Sequence, residues 1–402
     1  MPPPLITIAE ARRRVLAATR PLGHELIAVT QALGRVLARD LTAAGDTPPF
    51  PCSAMDGYAL APGPAGRRLK VVGESRAGAP AERAPGDGEA LRISTGAAVP
   101  HGAVAVIRQE DVDADGELIH TRADTAPGEN VRRPGEDMTA GTLVLRAGTT
   151  LQAAELGAAV AAGAGAVEVT LRPRVQVLCT GDELREPGAS LEPGEIHNSN
   201  GPMLTALAAG CGAVTRPAQR LADDRAATER SLHGALAGAD AVVLSGGVSV
   251  GPHDHVKPAL AALGVEEVFW GVALQPGKPT WFGTRNGTLV FGLPGNPVSA
   301  FVTFALFARP ALARLQGAVA AGRLEGTAVL SADVPRNPHR DQAIRVRLER
   351  RDHELVALPN GPQASHIVTS LIGADALALI PAGDGVLGAG TEIALEPLPG
   401  RC

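Results

Sequence analysis

The first forty residues alternate apolar and polar positions with the period of an α-helix. Thr7 precedes Glu10 by three positions, which is the spacing of a capping box, and an apolar stripe begins at Ile8. The segment 30–41 repeats this pattern. The sequence therefore predicts one helix that starts near Ile8 and a second helix over 30–41.

The pattern changes between about residues 45 and 141. Short β-type runs such as LKVVG, ALRIS and AVAVIR are broken there by Gly, Pro and Asp, whereas 151–163 is helical in pattern again. Because helical patterns flank this segment on both sides, we predict that 45–141 is an inserted β-rich unit. The two flanks then belong to one domain.

From residue 174 onward, short apolar strands alternate with helical stretches. Strand patterns occur at VQVLCTG, ADAVVLSGG, VEEVFWGV and TLVFGL, and the longest helical pattern is NPVSAFVTFALFARPALARLQG. This alternation predicts a parallel, doubly wound α/β sheet over 171–318. After about residue 325, the period-2 runs IRVRLER, ELVAL, ALALI and TEIAL predict a small β-barrel or sandwich. The chain is thus expected to be a multidomain α/β plus β protein.

Composition and charge narrow the classes of partner. With 402 residues, 45% hydrophobic and 20% charged, the chain is typical of a globular protein with several cores. A net charge of -5 and the absence of long Lys/Arg runs disfavour a nucleic-acid partner. The sequence shows neither a secretory signal nor an uninterrupted apolar run of about 18 residues, so we expect a cytoplasmic protein with no membrane contact. Its 4 cysteines are far apart, which supports neither a zinc knuckle nor a disulfide framework.

Three loops of the predicted α/β sheet follow directly after strands. They are CTGDEL, which carries Glu183, LSGGVSVGPHDHVK, and GLPGNPVSA, in which Asn296 and Pro297 fit an N-cap and a first helical position. Because ligands of open α/β sheets bind outside the carboxyl ends of the strands, we expect these loops to meet at one ligand site.

The stretch SGGVSVGPHDHVKP allows two interpretations. Ser245, Gly246 and Gly247 can turn tightly and approach an anion with the backbone, as in a phosphate cradle. An ordinary strand-to-helix loop capped by Asp254 explains the same residues. The histidines on either side of Asp254 do not have the i, i+4 spacing of a helical metal pair, so we do not expect them to bind zinc or iron.

Acidic residues near these loops form an oxygen-ligand set of the type that Mg²⁺ prefers. Glu183 and Asp254 belong to it, together with Asp223 and Asp224, although an exposed helix cap is an equally good explanation for either of the last two. Lys278 lies in the Pro/Gly-held turn QPGKPTWFG, where it either faces an oxyanion or is a solvated surface lysine.

The β-rich unit adds two irregular segments. PFPCSAMDGYAL carries Asp56 and ISTGAAVP carries Thr95, and both are more elaborate than a turn requires. These residues can act on a ligand of the α/β sheet only where domains or subunits meet.

Eight motifs, in this order, resemble those of a known family. SAMDGYAL, ISTGAAVP, VRRPGED, TGDEL, SGGVSVGPHDHVK, QPGKP, LPGNPVSA and QASHIVTSL are similar to the molybdopterin molybdenumtransferases, the MoeA and gephyrin E-domain family. The resemblance runs from the first helix to the last β unit. Single motifs such as TGDE are weak, whereas eight in register are specific.

The resemblance implies four domains and a dimer. The expected domains are an elongated two-segment N-terminal domain (1–44 and 142–170), an inserted β-rich domain (45–141), a central α/β molybdopterin-binding domain (171–318) and a C-terminal β-barrel (319–402). Members form elongated homodimers whose active site lies in the α/β domain and is completed by the partner chain. Further expected partners are other proteins of cofactor biosynthesis and the molybdoenzymes that receive the cofactor.

The implied reaction takes adenylylated molybdopterin and molybdate, inserts molybdenum into the dithiolene and releases AMP, with Mg²⁺ as cofactor. Two anions must meet, so cations are needed to offset their repulsion. The motifs carry the following roles over. Glu183, Asp254 and one of Asp223 or Asp224 would contact metal or nucleotide phosphate, and Asp56 and Thr95 would come from the neighbouring subunit; Lys278, Ser365 and Arg340 or Arg345 would contact oxyanion or molybdate; Ser245, Gly246, Gly247, Ser249, Pro294, Asn296 and Pro297 would shape the pterin and phosphate pocket.

Two positions depart from the family pattern. Gln275 stands where many relatives have a second lysine, which either weakens oxyanion capture or shifts it to Arg132, Arg133 or the C-terminal arginines. Ala343 stands where an aromatic residue is common.

Two other functions compete with the transferase. A non-catalytic molybdopterin-binding scaffold would not need the magnesium-type acids. An adenylyltransferase acting one step earlier would share the α/β domain but would not explain the other domains.

Overall fold

The computed structural model describes residues 4–222, 224–247, 255–319 and 326–398. Within them the chain forms an N-terminal part built from two segments, an inserted β sheet, an α/β sheet and a C-terminal barrel. Asp223, Ser249 and Asp254, which the sequence analysis singled out, lie outside the described residues.

The first helix begins where its cap predicts. The helix Ile8–Ala18 follows Thr7, whose Oγ1 accepts a hydrogen bond from the backbone N–H of Glu10 at 3.1 Å. The helix predicted over 30–41 is wrong. A single 3-10 turn, Val29–Gln31, is followed by irregular turns, and Val36 and Leu37 form β-bridges with the distant residues Thr150 and Val169.

The two segments of the N-terminal part are joined by strand pairing. His24–Ala28 pairs antiparallel with Ala166–Thr170, and Leu41–Thr42 pairs with Leu143–Leu145. The helix Ala153–Ala161 lies in the second segment, as its pattern predicts.

The segment between them folds into a 6-stranded sheet. Asp56 lies in the loop before the first strand of this sheet, and Thr95 lies in the loop after the third. The strands are Gly57–Leu60, Arg68–Ser75, Glu89–Ile93, Ala105–Arg108, Val112–Asp115 and Leu118–Thr121, and a separate pair joins Cys52–Ser53 to Val131–Arg132.

The α/β sheet has a parallel centre and an antiparallel edge. Arg174–Thr180, Ala241–Ser245 and Thr288–Leu293 are parallel neighbours and are largely buried. Trp281–Arg285 runs antiparallel to both of its neighbours, Thr288–Leu293 and Glu266–Trp270, so the sheet is mixed where the alternation predicted parallel strands. The remaining strands and helices of this domain are Val214–Thr215, Gln219–Leu221, Leu184–Arg185, Ile196–His197, Asn200–Gly210, Arg225–Gly238 and Val256–Ala262.

The antiparallel edge has a local cause. The connection between Trp281–Arg285 and Thr288–Leu293 is the two-residue turn Asn286–Gly287, whose φ values are 49° and 88°. Two positive φ values make the tight hairpin turn that Asn-Gly favours, and such a turn cannot join parallel strands.

The longest helix of the domain is continuous but changes its pitch. It runs as Pro297–Thr303, a π-helical stretch Phe304–Ala308 and Arg309–Leu315. By length and composition this helix could cross a membrane, yet 78% of its apolar window is buried inside the protein, as in a core helix.

The C-terminal strands close into a barrel. Asp341–Arg351 pairs with both Glu354–Pro359 and Ala376–Ile380, and Thr327–Leu330 and Glu392–Pro397 complete the ring. The choice between barrel and sandwich is thus settled as a barrel. The short strand Leu274–Gln275 of the α/β domain pairs in parallel with Asp341–Arg351 and joins the two domains; Val334–Pro335 pairs with Val386–Leu387.

A buried ion-pair cluster connects three parts of the chain. The carboxylate of Glu396 in the barrel is 1% exposed and accepts from Arg12 of the first helix at 2.5 Å. Arg309 of the longest helix binds the other oxygen of the same carboxylate. One acid therefore holds the N-terminal helix, the α/β domain and the barrel together.

Candidate functional site

A cleft lies at the carboxyl end of the parallel strands. Thr180, Ser245 and Leu293 end three neighbouring parallel strands, and residues at and after these ends line a cavity of about 600 Å³. The loops TGDEL, SGG and LPGNP, which the sequence predicted to meet, are therefore together. The lining residues used below are Cys179, Thr180, Glu183, His197, Asn198, Asn200, Ser245, Gly246, Gly247, Pro279, Pro294, Asn296, Pro297 and His366.

Two glycines bring the backbone close to the cleft. Gly246 and Gly247 have φ values of 85° and 67°, in the left-handed region that favours glycine. A Cβ at Gly246 would lie 2.6 Å from Thr180 Oγ1, and one at Gly247 would lie 2.6 Å from Val256 Cγ2. The strand-to-helix loop thus requires glycine for space as well as for conformation, which is the geometry of a backbone cradle.

Asn200 ties the neighbouring loops to this cradle. Its Nδ2 donates to Ser245 Oγ at 2.8 Å and to the carbonyl of Gly295 at 2.6 Å. Its Oδ1 is buried and has no hydrogen-bond partner among the residues that the structure describes. Asn200 therefore fixes the SGG and LPGNP loops in one arrangement, and it leaves an acceptor unsatisfied beside the cavity.

Two helices begin at the cleft. Asn200–Gly210 starts on one side and the helix from Pro297 starts on the other. The partial positive charge at the N-terminus of a helix favours anions. Asn296 and Pro297 occupy the N-cap and first helical positions as predicted, but the Asn296 side chain donates to Ser365 Oγ at 3.1 Å instead of capping the helix.

Glu183 presents a carboxylate to this anion-favouring cleft. Its side chain is exposed and has no hydrogen-bond or ion-pair partner within the described part of the chain. It turns back over Gly181, where an added Cβ would lie 2.4 Å from Glu183 Oε2. The neighbouring Asp182 forms an ion pair with Arg220, with 3.9 Å between Asp182 Oδ1 and Arg220 Nη1. Of these two acids, Glu183 is the one positioned to hold a cation in the cleft.

The other predicted acids fall into two groups. Asp224 caps the helix Arg225–Gly238, and its Oδ1 accepts from the N–H of Ala227 at 2.7 Å, so the cap interpretation describes its geometry. Asp223 and Asp254 are outside the described residues. Among the residues that are described, no group of three or more His, Cys, Asp or Glu side chains is close enough to hold a metal.

Lys278 lies beside the cleft and does not line it. It is exposed at the end of the QPGK turn, whereas its neighbour Pro279 is a lining residue. The turn is tied to the barrel, because Gln275 Oε1 accepts from Asn337 Nδ2 at 2.6 Å. Gln275, which departs from the family pattern, therefore has a structural contact of its own.

The barrel sends one loop to the cleft. Ser365 meets Asn296 as described above, and its carbonyl accepts from the N–H of Val298 at 3.3 Å. Pro294, on the facing loop, lines the cleft. Arg340 is half-buried, and its backbone N–H donates to Asn337 Oδ1 at 3.0 Å.

Arg345 does not reach the cleft, which corrects its predicted role as a ligand contact. Its side chain is 0% exposed, and the guanidinium donates to Ser370 Oγ at 3.1 Å and to the carbonyls of Pro362, Gln363 and Ala364. Burial lowers the pKa of Arg345 to about 10, so it remains charged at neutral pH. Arg345 thus supports the loop that carries Ser365.

Asp56 and Thr95 are brought together within the inserted sheet. Asp56 Oδ1 accepts from the backbone N–H of Thr95 at 2.7 Å, and both residues are exposed. Neither lines the cleft of the same chain. They form a small polar surface that a second molecule can approach.

Several residues that line the cleft were not predicted from the sequence. Cys179, Asn198, Asn200 and His366 all face the cleft. Burial raises the pKa of Cys179 to about 11, so it is a neutral thiol at physiological pH. The motif EIHNSNGP gave a signal for the asparagines, because a polar run immediately before a helix is typical of a helix N-terminus at a site.

Family models and relatives cover nearly the whole chain. The models for the MoeA N-terminal region (domain I and II), a probable molybdopterin binding domain and the MoeA C-terminal region (domain IV) match residues 6–163, 176–314 and 327–398. A Mycobacterium tuberculosis protein named molybdopterin molybdenumtransferase 2 is 37% identical over 401 residues, which are 96% of this chain and 98% of that protein.

A second relative and a solved structure agree with this. A Staphylococcus aureus molybdopterin molybdenumtransferase is 31% identical over 395 residues, 96% of this chain and 94% of the relative. The crystal structure of a molybdopterin biosynthesis MoeA protein from Pyrococcus horikosii has a TM-score of 0.81 and 32% identity, and covers 99% of this chain and 100% of that one.

Proposed function

The chain belongs to the MoeA family of molybdopterin molybdenumtransferases, and on this premise we propose the reaction that its cleft performs. It is an enzyme of molybdenum cofactor biosynthesis. Its substrates are adenylylated molybdopterin and molybdate. Molybdenum is inserted into the dithiolene of the pterin, and hydrolysis of the phosphoanhydride releases AMP.

One observation carries the proposal: the glycine cradle and two helix N-termini converge on one cavity. Gly246 and Gly247 allow the backbone to approach, and the helices starting at Asn200 and Pro297 place the positive ends of their dipoles beside the same space. This arrangement favours a ligand with several negative charges, such as a pterin nucleotide with a phosphoanhydride. Ser245 and Pro294 complete the wall on the strand side.

We propose Mg²⁺ as cofactor, with Glu183 as one ligand and Asp254 or Asp223 as others. Glu183 fits because its carboxylate is an oxygen donor in the cleft with no partner within the described residues. When bound, Mg²⁺ would offset the negative charge on the phosphate oxygens. Asp224 is less suited, since it already caps a helix.

We further propose a homodimer in which the site is shared. Asp56 and Thr95 are exposed and hydrogen-bonded to each other, away from the cleft of their own chain. Contribution of this pair to the cleft of a second copy would bring both to the reaction. Lys278, exposed at the rim beside Pro279, would then face the oxyanion in the completed site.

We place the protein in the cytoplasm, with the molybdoenzymes and other proteins of cofactor synthesis as partners. The domain limits 1–44 with 142–170, 45–141, 171–318 and 319–402 are proposed because each range contains its own set of paired strands.

The test is an assay with purified protein, adenylylated molybdopterin, Mg²⁺ and molybdate, in which AMP release and cofactor formation are both followed. We expect AMP to appear only when molybdate and Mg²⁺ are present. Binding of the pterin without AMP release under any condition would contradict the proposed reaction and favour a scaffold.

A variant pair tests the role of Glu183. Glu183→Gln removes the charge from the cleft and should reduce turnover at least about 100-fold without lowering the melting temperature. Glu186→Gln, in the same loop but outside the cavity lining, is the matched control. Equal activities of the two variants would remove Glu183 from the mechanism.

A further inference from the structure

His366 is the residue after Ser365 in the barrel loop, and it lines the cleft. It therefore comes from a different domain than the glycine cradle at Gly246. Its imidazole ring is exposed and makes no hydrogen bond within the described part of the chain. A side chain in this position has donor capacity available for a ligand.

The loop that carries His366 is held from both sides. On the barrel side, the Arg345 guanidinium donates to the carbonyls before Ser365, and Gln363 Oε1 accepts from the N–H of Arg345 at 2.9 Å. On the α/β side, Ser365 is bonded to Asn296 and Val298. The backbone at His366 is thus fixed relative to the cleft, which is what a ligand-contacting side chain requires.

The side chains that line the cleft offer little positive charge to an anionic ligand. The described residues that line it include no Lys and no Arg, and Glu183 adds a negative charge. His197 is the other histidine, and its Nε2 lies 2.9 Å from the carbonyl of Ala189. His366 is therefore the cleft-lining ring, within the described ranges, whose nitrogens are uncommitted and whose protonated form is cationic.

We propose that His366 is a substrate-contacting residue that donates a hydrogen bond to a tetrahedral oxyanion in the cleft. The inference rests on the proposed function, which supplies two such oxyanions, molybdate and the phosphate of the pterin nucleotide. The contact is made by an imidazole N–H, which both the neutral and the protonated ring possess.

Kinetics distinguish the two oxyanions. His366→Ala should raise the KM for molybdate or for adenylylated molybdopterin about tenfold, and His366→Asn, which keeps a donor, should recover part of the loss. The substrate whose KM changes identifies the oxyanion. His353→Ala, in the exposed turn of a barrel hairpin, is the matched control.

Binding without turnover gives a second measurement. In protein labelled at histidine, the imidazole resonance of His366, assigned by its absence in His366→Asn, should shift when molybdate alone or inorganic pyrophosphate alone is added. Unchanged KM values for both substrates in the two variants, with no resonance shift, would overturn the proposal. If the wild type released no AMP, the proposed function would fail, while the resonance shift would still decide whether His366 contacts an oxyanion.

Discussion

Gly246 combines two demands that no other residue type meets. Its φ of 85° disfavours a side chain, and a Cβ would collide with Thr180 Oγ1. Gly264, two residues after the helix Val256–Ala262, has a φ of 77°, but no heavy atom of the described residues lies within 4 Å of an added Cβ. A side chain at either position would therefore be strained by the positive φ, but only at Gly246 would its Cβ also collide with Thr180.

Comparison of alanine variants separates these effects. Gly264→Ala should lower the free energy of unfolding by about 1 kcal/mol, the cost of the left-handed conformation. Gly246→Ala should lower it further and also raise the KM for the pterin nucleotide, because the cradle must shift. Urea titration and steady-state kinetics measure both. Equal stability losses and an unchanged KM would show that the loop has room for a methyl group.

The Cys179 thiol couples stability to alkaline pH. Burial raises its pKa from 9.0 to about 11, and burial raises the pKa of Cys211 to about 11 as well. Since the folded protein holds these protons more tightly than the unfolded chain, their contribution is complete below pH 9 and is lost between pH 9 and about 11.

The free energy of unfolding should therefore fall over this interval, by up to about 2 to 3 kcal/mol from Cys179. Urea titrations at a series of pH values measure the slope. In Cys179→Ala the unfolding free energy should fall less steeply between pH 9 and about 11. This holds even if the variant is less stable than the wild type at every pH. An identical slope in wild type and variant would mean that the thiol ionises freely in the folded protein.

Among the elements, the loop 360–370 depends on one buried side chain. In Arg345→Met, the carbonyls of Pro362, Gln363 and Ala364 lose their shared donor, and we expect a loss of about 2 to 4 kcal/mol in unfolding free energy. The KM for the oxyanion substrate should rise at the same time, since Ser365 loses its fixed position.

Arg347→Met provides the control, because Arg347 lies two residues along the same strand and is exposed. It should change neither stability nor KM by a measurable amount. A normal KM in Arg345→Met would show that the loop keeps its place by its contacts with the α/β domain alone.

The elements that were predicted correctly have local causes. Thr7 caps the first helix and Asn296 precedes Pro297 at another, and both signals lie within a few residues. The strand-end loops were also predictable, because buried apolar runs ended in polar turns and the geometry of α/β sheets brings such turns together.

The elements that were predicted incorrectly have distant causes or an overlooked signal. The apolar residues of 30–41 fit a helix, but Val36 and Leu37 pair with residues more than a hundred positions away, which no local pattern reveals. The antiparallel edge could have been predicted from Asn286–Gly287, a strong hairpin signal. The role of Arg345 could not, because sequence does not distinguish an arginine that binds a ligand from one that binds its own backbone.

For the whole molecule, the proposed dimer predicts complementation between inactive variants. Asp56→Ala disables the surface that a subunit offers to its partner, and Glu183→Ala disables the cleft itself. If the site is shared, a mixed dimer contains one site with neither substitution, so an equimolar exchanged mixture should regain about a quarter of wild-type activity.

The measurement is AMP release after co-refolding or subunit exchange of the two variants. Each variant alone, taken through the same treatment, is the control. If the mixture stays as inactive as its components while sedimentation shows mixed dimers, each cleft is complete within its own chain.

The cluster of Arg12, Glu396 and Arg309 also has a consequence in time. Arg12 and Glu396 are separated by 384 positions, so Arg12 leaves the ribosome long before its acid is made. At typical rates of synthesis the delay is roughly 20 to 80 s. During that interval the carboxylate of Glu396 is not yet available to the guanidinium of Arg12. The first helix can therefore reach its final packing only after the barrel strand that bears Glu396 has emerged. The strand Glu392–Pro397 thus completes the packing of a helix that was synthesised long before it.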